Sequence, residues 1–328
     1  MPTSIRSFAK INLGLKIGPT RPDGFHELRT IYQSIALYDV VRVEIQQGRG
    51  IEIRCCDPRV PTDQSNTCYR IAERVLRVVR GGGKVVIDIE KNLPVQGGLG
   101  AGSSNAVATM IALERELGTP LAPQVRLRIA AEVGSDLPLF LIGGTVLGVD
   151  RGQEVYPLQD FPAMHLVVVT PAIGMSTPKT FAAWDALVAD QAELTDSEPT
   201  GTIKLFSGAV YAWLSMGSHS QAVPASGVPA MGGDRAETPL LDLVRAGIEN
   251  DFEKVVFSEY PELREAKRGL EREGAKYASL SGSGSSLYGL FDSAENAKAA
   301  AERMSATGYP AVASRSLTRE EYWTALAS

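Results

Sequence analysis

The sequence predicts an α+β fold of two lobes, and three observations lead there. Strand-like and helix-like stretches follow one another without the even βαβ period of a doubly wound sheet. A glycine-dense loop, Pro94 to Ser104, joins a strand pattern to a helix pattern. The 328 residues exceed what one small core organises and suit one large domain or two of ordinary size.

From Ile35 to Arg54, apolar and polar residues alternate on both sides of a glycine-containing break, which predicts a β-hairpin. Asn66 to Val79 places Tyr69 or Ile71, Ala72, Val75, Leu76 and Val79 at helical spacing. Lys84 to Glu90 alternates as a strand. The Ala-rich run Asn105 to Leu117 predicts a helix ending at Gly118, Gln124 to Val133 another, and Gly143 to Val149 a strand. A second half begins near Leu158, and the boundary between Tyr156 and Phe161 divides the chain into 1–157 and 158–328. There a strand at His165 is followed by a helix from Thr177 to Asp190, with Ser176 and Thr177 as cap candidates. Met216 to Thr238, dense in Gly, Ser, Pro and Ala, predicts a mobile loop. Helices are expected at Leu240 to Phe257, Glu262 to Glu273 and Ala294 to Ser305, and strands at Tyr277 to Leu280 and Ser286 to Phe291.

Composition excludes several classes. Hydrophobic residues at 44% and charged residues at 22% are ordinary for a globular chain and argue against disorder. A net charge of −5 gives no bulk attraction for nucleic acid, so any phosphate must be held by local geometry. The cysteines, Cys55, Cys56 and Cys68, make no disulfide framework, and His26, His165 and His219 are too scattered to suggest zinc. Arg6, Lys10 and Lys16 interrupt the N-terminal apolar residues, so neither a signal peptide nor a membrane span is expected; the expectation is a soluble, reduced, cytoplasmic protein.

Gly97, Gly98, Gly100 and Gly102 lie within PVQGGLGAGSS, where missing Cβ atoms let backbone amides approach a ligand and an opening helix aims free N–H groups at it. An anion such as a nucleotide phosphate is the natural guest; the plain alternative is a flexible turn capped by Ser103 or Ser104. The loop is neither a Walker A sequence nor a dinucleotide fingerprint, because serines stand where those need Lys or a last Gly. The LSGSGSS stretch at Leu280 to Ser286 reads by itself as an ordinary turn. Gly143, Gly144, Gly148 and Gly152 read as permissive positions in tight connections.

Four segments in this order, AKINLGLKI (Ala9 to Ile17), RPDGFHEL (Arg21 to Leu28), LPVQGGLGAGSSNA (Leu93 to Ala106) and GSDLPLF (Gly134 to Phe140), resemble the GHMP kinase superfamily, which is named for galactokinase, homoserine kinase, mevalonate kinase and phosphomevalonate kinase. ENDFE (Glu249 to Glu253) and LSGSGSSLYGLF (Leu280 to Phe291) support the resemblance. The DGFHEL and AKIN segments are similar to the branch that phosphorylates the 2-hydroxyl of 4-diphosphocytidyl-2-C-methyl-D-erythritol in the methylerythritol phosphate isoprenoid pathway. This resemblance implies an ATP-binding N-terminal lobe of the ribosomal S5 domain 2-like type (1–157) and a ferredoxin-like C-terminal lobe (158–328), with the active site between them. ATP and Mg²⁺ are the implied cofactors and a small cytidine diphosphate-linked sugar alcohol the partner; nothing in the sequence marks an oligomeric interface.

Phosphoryl transfer from ATP to an alcohol needs charge neutralisation, an in-line hydroxyl and a proton acceptor. The resemblance makes Asp136 the general base; by itself it could equally be a helix cap. Lys10 shares one strand face with Phe8, Asn12 and Gly14. It is either an edge-strand lysine in solvent or, as the resemblance implies, the cation beside Asp136, with Asn12 as a substrate contact. The implied nucleotide site comprises Pro94, Val95, Gln96, Gly97, Gly98, Leu99, Gly100, Ala101, Gly102, Ser103 and Ser104, bordered by Asn66, Lys91 and Asn92. Either serine could meet Mg²⁺ or phosphate, and no acidic metal ligand stands out. Thr67 replaces a larger apolar residue common among relatives. Phe25, where relatives commonly carry Tyr, and His26 offer a stacking face and a polar edge for cytosine. Across from them the resemblance places Phe181 as the second slice of an aromatic sandwich, with Thr177 and Pro178 nearby; Phe181 could otherwise pack in a core with Trp184 and Leu187. Ser281 to Ser283 would close the cleft near the phosphates.

Overall fold

The computed structural model describes residues 1–192 and 249–326. The loop predicted from Met216 to Thr238 and the start of the helix predicted at Leu240 lie outside them.

Two long strands, β1 (Thr3–Thr20) and β2 (His26–Gln46), make the N-terminal hairpin. Its turn is closed by Asp23, whose carboxylate accepts from the Phe25 amide at 3.1 Å, and by Gly24 at φ +80°. β3 (Gly50–Cys55), β4 (Lys84–Glu90), β5 (Thr145–Val149) and β6 (Glu154–Pro157) complete a six-stranded sheet in the order β3-β4-β2-β5-β6, with β1 on β2. The hairpin expected between Ile35 and Arg54 is corrected here. Both of its arms are strands, but β4 lies between them, antiparallel to β2 and parallel to β3. Alternation sets a strand and its faces and does not choose its neighbour. The apolar β4, reached from β3 through helix α1 (Thr67–Val79), takes the central place where both its edges are paired.

Helices α1 and α2 (Ala101–Leu117) cover one face of this sheet, α3 (Pro123–Val133) packs against α1, and a single turn, α4 (Leu137–Phe140), follows. α2 begins four residues before the expected start at Asn105, so the tail of the glycine loop is its first turn. The second lobe is an antiparallel sheet in the order β10-β7-β9-β8, from β7 (His165–Val169), β8 (Tyr277–Leu280), β9 (Leu287–Phe291) and β10 (Ala311–Arg315). With it go α5 (Thr177–Ala192), α6 (Glu253–Glu259), α7 (Pro261–Arg272) and α8 (Ala294–Ala306).

The last element, α9 (Arg319–Ala325), was not visible in the periodicity, nor were α4, β6 and β10. A capping box between Thr318 and Glu321 starts α9. It returns to the first lobe, where Tyr322 is buried and donates to the Phe140 carbonyl at 2.8 Å.

β1 connects three apolar clusters. Ile5 and Phe8 lie in the first lobe's core, Leu15 and Ile17 in the second's. Between them Ala9, Ile11 and Leu13 pack with Leu166, Val168, Tyr288 and Leu290 in a core shared by the two sheets. Alternation therefore turns Lys10 and Asn12 to the opposite face, beneath the glycine loop.

Candidate active site

A cleft of about 480 Å³ lies between the lobes, lined by the glycine loop, Lys10, Asn12, Tyr32, Asp136, Thr177, Phe181 and Gly282. At its floor the buried Lys10 ammonium donates to Asn12 Oδ1 at 2.6 Å and stands 3.7 Å from Asp136 Oδ2. Asn12 in turn donates to Thr30 Oγ1 at 2.7 Å. Burial pulls the Lys10 ammonium below the ordinary lysine pKa, and the Asp136 carboxylate pulls it back up. Asp136 does occupy the N-cap position of α4, yet its side chain makes no capping hydrogen bond, and it is 35% exposed toward the cleft. The carboxylate is thus left to Lys10 and to Tyr32, whose hydroxyl donates to Asp136 Oδ1 at 3.1 Å.

The glycine loop is fixed against β1 and against the second lobe. Lys10 donates its amide to the Leu99 carbonyl at 3.0 Å, and Ser286 donates its amide to the Gly97 carbonyl at 2.9 Å. The Ser281 hydroxyl donates to the Gly98 carbonyl at 3.0 Å. LSGSGSS is therefore more than a turn: its backbone lies so close that a Cβ at Gly98 would collide with the Ser281 carbonyl oxygen. Gly282 brings the same loop beside Lys10 and Asn12, where a Cβ would stand 3.3 Å from each side-chain tip.

Gly100 caps α2 at φ +71°, so the amides of the helix's first turn are left without intrahelical partners and face the cleft mouth. Of the two candidate serines, Ser104 is buried with its hydroxyl 2.8 Å from Ser7, whereas Ser103 lines the cleft. Asn66 also lines it, but as the α1 cap: it accepts from the Cys68 amide at 2.8 Å and donates to the Pro61 carbonyl at 2.6 Å. Thr67 ties that helix to the loop by donating to the Gly102 carbonyl at 2.8 Å. Cys68, on the same wall, is no nucleophile, since burial pushes its thiol up to about 12.

Lys91 reaches the cleft wall with its charge already paired. Its ammonium bonds Asp39 Oδ2 at 2.6 Å, and Asp39 is completely buried. The same carboxylate accepts from the Asn92 and Leu93 amides, each at 2.7 Å, and from Asn105 Nδ2 at 3.0 Å. Asn92 turns its side chain away to the Tyr38 carbonyl. Asp39 and Tyr32 are among the residues of this site that sequence reasoning missed. The signal for Asp39 was available: an acid inside the apolar strand pattern of β2 must be paired if it is buried.

The residues expected on the pyrimidine side are only partly gathered in one place. His26 and Phe181 come together, but directly, with ring centroids 5.0 Å apart and planes inclined by 11°. His26 is also bonded to Asp185 Oδ1 at 2.7 Å, and Phe181 meets Phe252 edge-on at 4.9 Å. A third ring between them would need two carbon contact distances, about 7 Å, so the sandwich is closed on itself. Phe25 is not part of it. Its ring is 52% exposed outside the cleft wall, with the Arg151 guanidinium over it at 4.8 Å, because the hairpin turn aims it outward. Thr177 does line the cleft, its hydroxyl 2.9 Å from that of Ser283, while Pro178 is exposed beside it.

Known proteins share this fold. Residues 66–144 match the GHMP kinases N terminal domain and residues 237–310 the GHMP kinases C terminal domain. Solved structures of a homoserine kinase from Cytophaga hutchinsonii (TM-score 0.68, 19% identity, 97% of this chain and 95% of that one) and of L. major mevalonate kinase (0.67, 17%, 95% of each) have the same fold. The two-lobed fold with its glycine-loop cleft is that of a GHMP kinase, an enzyme that phosphorylates an alcohol. A structure of 4-(cytidine 5'-diphospho)-2C-methyl-D-erythritol kinase superposes with a TM-score of 0.71 at 27% identity, over 95% of this chain and 98% of that one. The 4-diphosphocytidyl-2-C-methyl-D-erythritol kinase of Solibacter usitatus is 36% identical over 289 residues (88% of this chain, 80% of that one), and that of Moorella thermoacetica 34% over 316 (96% and 99%). The chain belongs to the 4-diphosphocytidyl-2-C-methyl-D-erythritol kinase family. Among the described residues no helix is long and apolar enough to cross a membrane.

Proposed function

We propose that this enzyme transfers the γ-phosphoryl group of ATP to the 2-hydroxyl of 4-diphosphocytidyl-2-C-methyl-D-erythritol, with Asp136 as general base and Lys10 as its cationic partner. The observation that carries this reading is the buried Lys10 ammonium 3.7 Å from a carboxylate that makes no cap bond, directly below the glycine loop. The triphosphate lies along the first-turn amides of α2, where the helix N-terminus favours negative charge. Asp136 takes the hydroxyl proton as its oxygen attacks phosphorus, the bond to the bridging oxygen of ADP breaks, and Lys10 balances charge on the attacking side. Asn12, locked between Lys10 and Thr30, is placed to touch the sugar alcohol.

Magnesium fits the donor set. Ser103 presents a hydroxyl beside the loop, and among the described residues no cluster of three or more His, Cys, Asp or Glu competes as a metal site. Ser103 would hold the ion, which keeps mostly water and phosphate ligands and neutralises phosphate charge when bound. Leu28, Thr177, Phe181 and Phe252, at the far end of the cleft, offer the apolar face for cytosine, with His26 stacked against Phe181. The same proposal divides the lobes at 157/158, with α9 supporting the first lobe from the end of the second part. The partner is a small molecule, with no nucleic acid.

The test is ADP release from ATP with the cytidyl substrate, with homoserine or with mevalonate as acceptor. Turnover is expected with the first alone, and Asp136→Asn should lower kcat by about a thousandfold or more. Equal turnover with homoserine or mevalonate, or full activity in Asp136→Asn, would overturn the assignment.

A further inference from the structure

Tyr32 has no role in the transfer as described, yet the fold makes room for it at some cost. Its ring is buried across β5 and the turn after it, where Gly148 and Gly152 supply the slot. A Cβ at Gly148 would stand 2.5 Å from Tyr32 Cε2, and one at Gly152 would stand 2.6 Å from the Tyr32 hydroxyl oxygen. These are two of the glycines that the sequence explains only as permissive turns. From that slot the hydroxyl reaches Asp136 Oδ1 at 3.1 Å, while the Lys10 ammonium sits over the ring at 5.5 Å. Among the described residues, the polar contacts of the Asp136 carboxylate are Lys10 from β1 and Tyr32 from β2.

We propose that Tyr32 is a positioning residue for the general base: its hydroxyl pins Asp136 Oδ1, so that Oδ2, the oxygen nearer Lys10, is the one presented to the substrate hydroxyl. The inference rests on the reading of Asp136 as the base. A carboxylate one-third exposed at the start of a one-turn helix is otherwise free to rotate about its side-chain bonds. One fixed donor on one oxygen removes that freedom and leaves the other oxygen in a set orientation toward the cleft. The phenol suits the task because burial, with the negative Asp136 adding to it, holds its own pKa well above the usual value, so it stays a donor.

The experiment compares Tyr32→Phe and Asp136→Asn in the full-length enzyme, with ATP and the cytidyl substrate. Tyr32→Phe keeps the ring in its glycine slot. Its kcat is expected to fall about tenfold, with KM for both substrates within about twofold of the parent. The unfolding midpoint in urea should stay put. An inactive Asp136→Asn beside a Tyr32→Phe whose kcat matches the parent would overturn the inference alone. So would a Tyr32→Phe whose kcat falls together with a lower urea midpoint and a raised KM for both substrates, the mark of packing only. Full activity in Asp136→Asn would remove the base and this inference with it.

Discussion

Replacing Asp39 by asparagine exchanges one oxygen for an amino group at a carboxylate shared by four donors. Asparagine Oδ1 can keep the two amides that bond Asp39 Oδ1, those of Asn92 and Leu93 at 2.7 Å. The new amino group then faces the two donors of Oδ2, the Lys91 ammonium at 2.6 Å and Asn105 Nδ2 at 3.0 Å. An ammonium only 7% exposed is left without its counter-charge. Breaking a buried ion pair from one side costs about 3–5 kcal/mol, and the orphaned amide adds to that unless it finds water. The loss should appear as a lower urea midpoint. Because Asn92 and Leu93 lead into the glycine loop, KM for ATP should rise by roughly ten- to a hundredfold while KM for the cytidyl substrate changes little. Adding Lys91→Met removes the stranded charge and should restore most of the stability. A stability loss below about 1 kcal/mol, or a double variant no better than the single one, would refute the view that this pair anchors the loop.

Gly98→Ala places a Cβ against the Ser281 and Gly284 carbonyls at φ +78°, so the two glycine loops must separate. A loss of at least about 2 kcal/mol in urea unfolding, together with weaker ATP binding by calorimetry, is expected; unchanged ATP affinity would contradict the interlock. Lys10→Met should lower kcat by about a hundredfold or more without lowering the urea midpoint at neutral pH. The sign follows from linkage: the folded-state pKa of Lys10 lies below the ordinary 10.5, so the unfolded chain holds that proton more tightly and burial of the ammonium subtracts from stability. That penalty fades as pH rises through the folded value toward 10.5, so the parent should gain stability over this window relative to Lys10→Met. A midpoint difference between the two that does not change with pH would contradict it.

Local pattern carried much of the fold. The helix from Thr67, the strand from Lys84 and the strand from Tyr277 stand where spacing placed them, because burying one face imposes its period on the chain. The short α9 escaped, since seven residues and a capping box leave too little periodicity to see, and so did β10 and β6. The hairpin error at β2 and β3 came from reading two strands close in sequence as partners when β4 fits between them.

By itself the sequence determined the chemical parts: a glycine loop opening a helix, a lysine on an alternating strand, an aspartate before an apolar turn, and a second glycine-serine stretch. These depend on residue type and short spacing, which a chain carries in linear order. Tertiary structure alone decided how the parts are used. It gave Ser104 to Ser7 and left Ser103 to the cleft, and it matched Lys91 with Asp39. It turned Phe25 outward while closing His26 on Phe181, and it brought Tyr32 from β2 against Asp136 from beyond α3. Each of these is a contact between residues distant in the chain, and such a contact depends on strand order and packing depth, which no local period encodes.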